Sequence, residues 1–153
     1  MRLNTAAKAL ALFTSLGLAV PGAARADDDE RGKHEVRVTN LRNDEGKVRA
    51  GIFESSRGFP LRVDEVARKV DAPIEDGAAT LTFDDLPRGT YAVVVYHDEN
   101  DNGKLDRNFI GKPKEGAGLY RPVRSRFPPP KFRDAKFDFR GDDKTIRVQL
   151  RYL

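Results

Sequence analysis

One stretch of the chain is apolar on both faces of a strand pattern. Residues 90–96 read TYAVVVY, so apolar side chains occupy odd and even positions alike. A strand that is buried on both faces lies in the interior of a sheet and is covered by other layers on each side. The sequence therefore predicts that this strand is central and that the rest of the chain is organised around it.

Shorter strand patterns lie on either side of the central strand and are separated by turn residues. Apolar and polar residues alternate in the segments 36–38, 48–52, 79–83, 135–139 and 146–152. The first two segments predict a hairpin across a turn at residues 43–46. Residues 63–70 predict a short helix that ends before Pro73. The whole pattern predicts an all-β fold, a single antiparallel β-sandwich of about seven strands.

The N-terminus has the pattern of an export signal. Arg2 and Lys8 accompany an apolar run at residues 9–20, and Ala24 and Ala26 are the small residues that signal peptidase requires. A single anchoring helix is the alternative, but the run is too short to span a bilayer well. We expect cleavage after Ala26, a periplasmic or secreted location, and no transmembrane segment in the mature chain.

Cleavage there would leave a flexible, charged leader at residues 27–33 and one domain at residues 34–153. The chain has no cysteine, which excludes disulfides, thiolate metal ligands and lipid attachment at a cysteine. The signal removes three basic residues and no acidic residue, so the net charge falls from +4 to +1. A nearly neutral domain does not favour nucleic acid as a partner.

Oxygen-bearing side chains follow the central strand at alternate positions. Asp98, Asn100 and Asn102 precede Gly103, and Asp106 comes three residues later. Alternate oxygens in a curled loop can converge on one ion, and hard oxygen ligands suit Ca²⁺. The predicted ligands are the side chains of Asp98, Asn100, Asn102 and Asp106, the Lys104 carbonyl and, to complete the shell, the side chain of Glu115.

The loop departs from an EF-hand in two respects. Its twelfth position is Phe109 rather than a bidentate glutamate, and a strand rather than a helix leads into it. Glu99 and Asp101 are expected to point outward. The alternative to an ion site is a tight turn that Asn and Asp side chains hold through their own hydrogen bonds to the backbone.

His97 stands directly before the loop. It would serve as a metal ligand or, with Asp98, as the general base of a metal-assisted hydrolase. The favoured interpretation is a strand-end histidine that is hydrogen-bonded to the loop. His34 lies near the N-terminus and is expected to have no specific role. Without a histidine close to His97 and without cysteine, a zinc site is not expected. Enzymatic activity stays open, and a non-enzymatic role is favoured.

Residues 111–133 form a basic, proline-rich segment. Seven basic residues stand against Glu115, the one acidic residue: Lys112, Lys114, Arg121, Arg124, Arg126, Lys131 and Arg133. This pattern is typical of a loop that binds a polyanion or an anionic surface. The alternative is an ordinary solvated loop whose charge is balanced by the acidic residues of 98–106.

Four motifs carry a resemblance to a known family. LPxGxYA at residues 86–92, HDxNxNGKLD at 97–106, GxPxEGxG at 111–118 and DAxF at 134–137 occur in this order. The sequence resembles the exported bacterial proteins of domain-of-unknown-function family 2141. The resemblance implies a small prealbumin-like or immunoglobulin-like β-sandwich behind a signal peptide, and it implies no established activity. Residues 119–124, LYRPVR, replace the polar stretch expected there, so a partner of this loop would differ.

The sequence thus favours a non-enzymatic binding or structural module of the cell envelope, in which Ca²⁺ shapes the loop. Its partner would be an envelope or extracellular component. One alternative is the metal-assisted hydrolase that uses His97 and Asp98. The other is a polyanion- or surface-binding domain that uses residues 112–133.

Overall fold

The structure is a computed structural model that describes residues 30–66, 68–122 and 129–153. The predicted signal and residues 27–29 of the predicted leader lie outside these residues. A 3₁₀ turn (Val63–Glu65) and the short helix α1 (Phe132–Ala135) accompany the strands. No helix in the described ranges has the length and apolarity needed to cross a membrane. The described strands are β1 (Arg31–Thr39), β2 (Lys47–Phe53), β3 (Arg68–Ala72), β4 (Ala79–Pro87), β5 (Gly89–Asp98), β6 (Ala117–Leu119), β7 (Phe137–Phe139) and β8 (Lys144–Gln149).

The strands form two sheets. The smaller has the order β4-β1-β8, and the larger has the order β3-β2-β5-β6, with β7 also paired to β5. Every pair is antiparallel except β1 with β8, which run parallel. The prediction of an all-β sandwich is confirmed. The parallel pairing of β1 with β8 is one difference from the purely antiparallel arrangement that was predicted.

Strand β5 occupies the central position that its sequence predicts. It pairs with β2 along one side and with β6 and β7 along the other. Tyr91, Val93 and Val95 face the core between the two sheets. Ala92, Val94 and Tyr96 face a second cluster on the outer side, which the 3₁₀ turn and α1 cover. Both faces of β5 are therefore buried, as the unbroken apolar run requires.

The predicted hairpin of the first two strands is wrong. β1 pairs with β4 and β8, whereas β2 pairs with β3 and β5 in the other sheet. The turn at residues 43–46 carries the chain from one sheet to the other. Both strands bury an apolar face against the same core from opposite sides, so their alternation is equally compatible with a hairpin and with a crossing between sheets.

Two local predictions are also corrected. Residues 63–70 form no continuous helix: Val63–Glu65 is a 3₁₀ turn, and β3 follows at Arg68–Ala72. Pairing with the edge of β2 satisfies backbone groups along β3, and this outweighs the local helix pattern. The predicted leader ended at residue 33, but β1 begins at Arg31. Here Arg31 pairs with Pro87, and the Lys33 amide donates to Asp143 at 2.8 Å.

Candidate functional site

Strand β5 ends at Asp98, whose carboxylate is fully buried and organises the loop that follows. Its Oδ2 accepts hydrogen bonds from Arg49 Nε at 2.5 Å and from the Gly103 amide at 2.8 Å, and its Oδ1 accepts from the Asn102 amide at 3.0 Å. Arg49 reaches Asp98 because β2 runs beside the end of β5. The carboxylate thus holds the loop curled against the sheet.

The polar side chains of the loop converge on Asp106. The Asn100 and Asn102 side-chain amides donate to its two carboxylate oxygens at 2.9 and 3.1 Å. Their own oxygens accept from backbone amides, Asn100 from Asn102 at 3.2 Å and Asn102 from Lys104 at 2.8 Å. In the described part of the chain, the Lys104 carbonyl accepts no hydrogen bond. The loop is therefore closed by its own side chains.

Glu115 lies against the loop. The side chain is 4% exposed, and its two oxygens accept from the backbone amides of Glu99 and Asp106 at 3.0 and 2.9 Å. Burial raises the pKa of Glu115, and the nearby charges of Asp106 and Asp98 act in the same direction, while the two amides oppose the shift. Glu115 therefore ties the loop to the segment that precedes β6.

The two acidic residues expected to point outward are turned away from the loop interior. Glu99 forms a two-point ion pair with Arg42, which holds the pKa of its carboxyl below the usual value, and Asp101 pairs with Arg49 at 2.6 Å. Glu99 is largely covered rather than solvated, because its side chain is 17% exposed. These acids are thus paired with arginines of the β1–β2 region rather than with the basic segment 111–133.

The loop therefore collects four of the predicted ligand side chains, with Glu115 beside them. Among the described residues, no three His, Asp or Glu side chains are grouped so that they could hold a metal ion. The two carboxamides converge on Asp106, whereas the Asp98 carboxylate bonds Arg49 and backbone amides. Such a set offers a lightly charged oxygen site or, with no ion, a self-supporting turn.

His97 is fully buried and has both ring nitrogens engaged. Nε2 lies 2.7 Å from the Glu45 carbonyl, which can only accept, so we assign the proton to this nitrogen. Nδ1 then accepts from the Tyr152 hydroxyl at 2.8 Å. The histidine is a strand-end residue whose hydrogen-bond partners lie in the turn before β2 and at the C-terminus. From the loop, the Glu99 carboxylate lies 3.6 Å from Nδ1.

His34 contradicts the expectation that it has no specific role. It is fully buried, with neither ring nitrogen hydrogen-bonded within the described chain. Its ring stacks on Phe137 at 5.2 Å and meets the edge of Phe139 at 5.4 Å. Burial, with a smaller contribution from the Lys144 charge, lowers the pKa of His34 from 6.5 to about 4. Its period-two spacing with Val36 and Val38 was the signal that it faces the core.

Several supporting residues left no sequence signal. Arg49 stands on the polar side of an alternating strand, where a solvated residue is expected, yet it bonds Asp98 and Asp101. The Tyr96 hydroxyl donates to the Gly103 carbonyl at 3.0 Å, which fixes the far side of the loop. Tyr152 reaches His97 from the end of the chain. Each contact depends on how the strands are paired, which the alternation of residues does not encode.

The basic segment is described in part. Lys112, Lys114, Arg121, Lys131 and Arg133 are exposed, and Arg133 pairs with Asp134 at 3.4 Å. The remaining basic residues of the segment lie within 123–128, outside the described residues. Among the described residues, Asp98, Glu99 and Asp101 pair with Arg42 and Arg49 and form no ion pair with this segment.

The fold and site define a class of protein: a small two-sheet β domain whose central strand delivers a hydrogen-bonded Asx-rich loop. The model of the family described as an uncharacterised protein conserved in bacteria, DUF2141, matches residues 36–147. The chain belongs to this family. No curated protein and no solved structure shows significant similarity to the chain.

Proposed function

We propose that this protein is an exported, non-enzymatic module of the bacterial cell envelope that binds or supports an envelope or extracellular partner. One observation carries this choice over the hydrolase: His97 and Asp98 are fully buried and engaged by protein groups. A general base needs a lone pair within reach of its substrate. The Nδ1 lone pair of His97 is taken by the Tyr152 hydroxyl, and Asp98 is enclosed by Arg49 and two backbone amides.

For the loop, we propose Ca²⁺ as the ligand. Support comes from the oxygen-bearing side chains of Asn100 and Asn102, which converge on the carboxylate of Asp106. On binding, the Asn100 and Asn102 carboxamides would rotate so that oxygen replaces nitrogen toward the ion. Arg49 already compensates the negative charge of Asp98. A site with less uncompensated negative charge binds Ca²⁺ more weakly. We expect an affinity of roughly 10⁻⁴–10⁻³ M, as in extracellular calcium modules.

Thermal melting of the purified protein tests the calcium site. With a Kd of about 1 mM, about 10 mM Ca²⁺ stabilises the folded state by about 1.4 kcal/mol, which is roughly 4–6 °C in Tm for a domain of this size. We expect this rise with Ca²⁺ and a smaller one with Mg²⁺, each relative to EDTA. Asp106→Asn, which removes a charge at the centre of the convergence, should abolish most of the rise.

The matched control is Asp101→Asn in the same loop. It makes the same change at a carboxylate that pairs with Arg49 and Lys47 and faces away from the loop interior. This variant should retain the full calcium response. An identical Tm in EDTA and Ca²⁺, or an equal loss of response in both variants, would refute the calcium site and leave the loop as a turn.

A second candidate function is binding of a polyanion through residues 112–133. The observation that favours it is the exposure of the basic side chains in the described part of this segment. One of them, Arg133, pairs with an acidic residue. Unpaired surface cations attract polyanions in a salt-dependent manner.

Elution from a heparin column tests this second candidate. The double variant Arg121→Gln, Lys131→Gln should elute at lower salt than the wild type. The control Arg37→Gln, Arg147→Gln removes the same charge from two exposed residues that lie opposite each other on β1 and β8. It should shift elution much less. Equal shifts would mean that net charge alone governs retention, and this would exclude a dedicated surface.

A further inference from the structure

A cleft of about 770 Å³ lies at the β6 edge of the larger sheet. Val94 of β5 and Ala117 and Leu119 of β6 line it, together with residues from the loop that precedes β6 and from the C-terminus. Its volume falls within the range of sites for small organic molecules, about 300–1,000 Å³. The proposed calcium ligands do not line the cleft.

The cleft concentrates the exposed apolar surface of the described chain. Of its four large exposed hydrophobic side chains, three line the cleft: Leu61, Ile110 and Leu153, which are 49%, 56% and 70% exposed. Leu105 and Leu119 extend the apolar wall. Clustered apolar surface of this kind marks a binding groove more often than scattered single residues do.

All the charged residues that line the cleft are basic. They are Arg107, Lys112 and Arg151, and no acidic residue lines the cleft in the part of the chain that the structure describes. Within the same described residues, none of these three side chains forms an ion pair. The cleft therefore joins apolar walls to cations that form no ion pair within the described part of the chain.

Arg107 occupies the key position. Its guanidinium donates to the Gly111 carbonyl at 3.2 Å and to the Leu61 carbonyl at 3.5 Å, which places it between two walls of the cleft. Two of its five N–H donors are used in this way, so others remain for a ligand. Burial lowers the pKa of Arg107, while the charge of Asp64 acts in the opposite direction. A partly buried arginine against apolar walls favours an anionic group from outside the chain.

We propose that the cleft binds a single-chain anionic amphiphile, such as a fatty acid, with its apolar chain along Leu105, Ile110 and Leu119 and its head group on Arg107. The apolar walls account for the chain, and the unpaired cations account for the head group. Charge and shape thus select an elongated molecule with one negatively charged end. This proposal goes beyond the function proposed for the loop, because it uses residues other than the proposed calcium ligands.

Calorimetric titration of the purified protein tests the proposal, with dodecanoate as the anionic probe and dodecanol as the uncharged probe, both below the concentration at which they aggregate. We expect one dodecanoate per protein. Arg107→Gln should weaken dodecanoate binding about tenfold or more, since a charge-assisted hydrogen bond is lost, and should leave dodecanol binding unchanged. Lys136→Gln, an exposed basic residue that does not line the cleft, is the matched charge control.

A second pair of variants tests the apolar wall without disturbing the core. Ile110→Asp places a carboxylate in the cleft and should weaken both probes about tenfold or more, whereas Phe109→Asp makes the same change at the adjacent, 99% exposed position and should have no effect. Equal effects of the two aspartates would overturn the proposal. So would equal affinities for the two probes, absence of binding, or self-association of the protein that buries the cleft against a second copy.

Discussion

Asp98→Ala is expected to lower the free energy of unfolding by about 3–5 kcal/mol, because it removes one partner of a buried ion pair. The change removes the buried 2.5 Å partner of Arg49 and leaves it the half-exposed Asp101. It also strands the Asn102 and Gly103 amides that the carboxylate holds. Urea unfolding in the presence of EDTA measures the loss with no contribution from a bound ion.

Asp101→Ala is the matched control for this change. Asp101 bonds the same arginine at 2.6 Å, but its side chain is 46% exposed, and an exposed pair contributes about 0.2–1 kcal/mol. A loss of about 1 kcal/mol or less is therefore expected. Equal losses in the two variants would mean that the buried carboxylate does not organise the loop.

The stability of the protein is expected to fall by about 3 kcal/mol as the pH drops from about 6.5 to about 4, through the protonation of His34. The pKa of His34 is lowered to about 4 in the folded state, so the unfolded chain takes up the proton first. This contribution is complete above the unfolded pKa and is lost as the pH falls through the window. Urea unfolding at several pH values follows it.

His34→Phe should remove this pH-dependent contribution and raise the free energy of unfolding at pH 7 by about 1–3 kcal/mol, since two unpartnered buried nitrogens are lost. His34→Leu serves as a second apolar variant in case the larger phenyl ring crowds Phe137 and Phe139. Other groups titrate in the same range, so the measured quantity is the difference between the wild-type and variant curves. Parallel curves from pH 7 to pH 4 would contradict the assignment.

The sequence predicted the elements of the fold better than their partners. The unbroken apolar run of β5 predicted a central strand, and the structure confirms it. Alternation in β1 and β2 predicted the strands correctly, yet the hairpin between them is wrong because they belong to opposite sheets. Alternation of apolar and polar residues indicates which face of a strand is buried, but it does not indicate which strand pairs with it.

The candidate site, too, was predicted only in part from the sequence. The spacing of Asp98, Asn100, Asn102 and Asp106 predicted ligand side chains that converge in a curled loop. The Asn100 and Asn102 carboxamides bond Asp106, whereas Asp98 bonds Arg49 and backbone amides. Calcium binding stays a prediction. The sequence did not indicate that Arg49 would bond Asp98, because that contact depends on the register of β2 against β5.

The sequence by itself determined the class of fold, the central strand and the composition of the loop, because these follow from local periodicity and from the turn-forming chemistry of Asn, Asp and Gly. Only the tertiary structure decided the sheet partners, the hydrogen-bond partners of His97, and the apolar cleft around Arg107. The physical reason is that each of these depends on contacts between segments far apart in the chain. Such contacts are selected by packing and backbone pairing over the whole domain rather than by neighbouring residues.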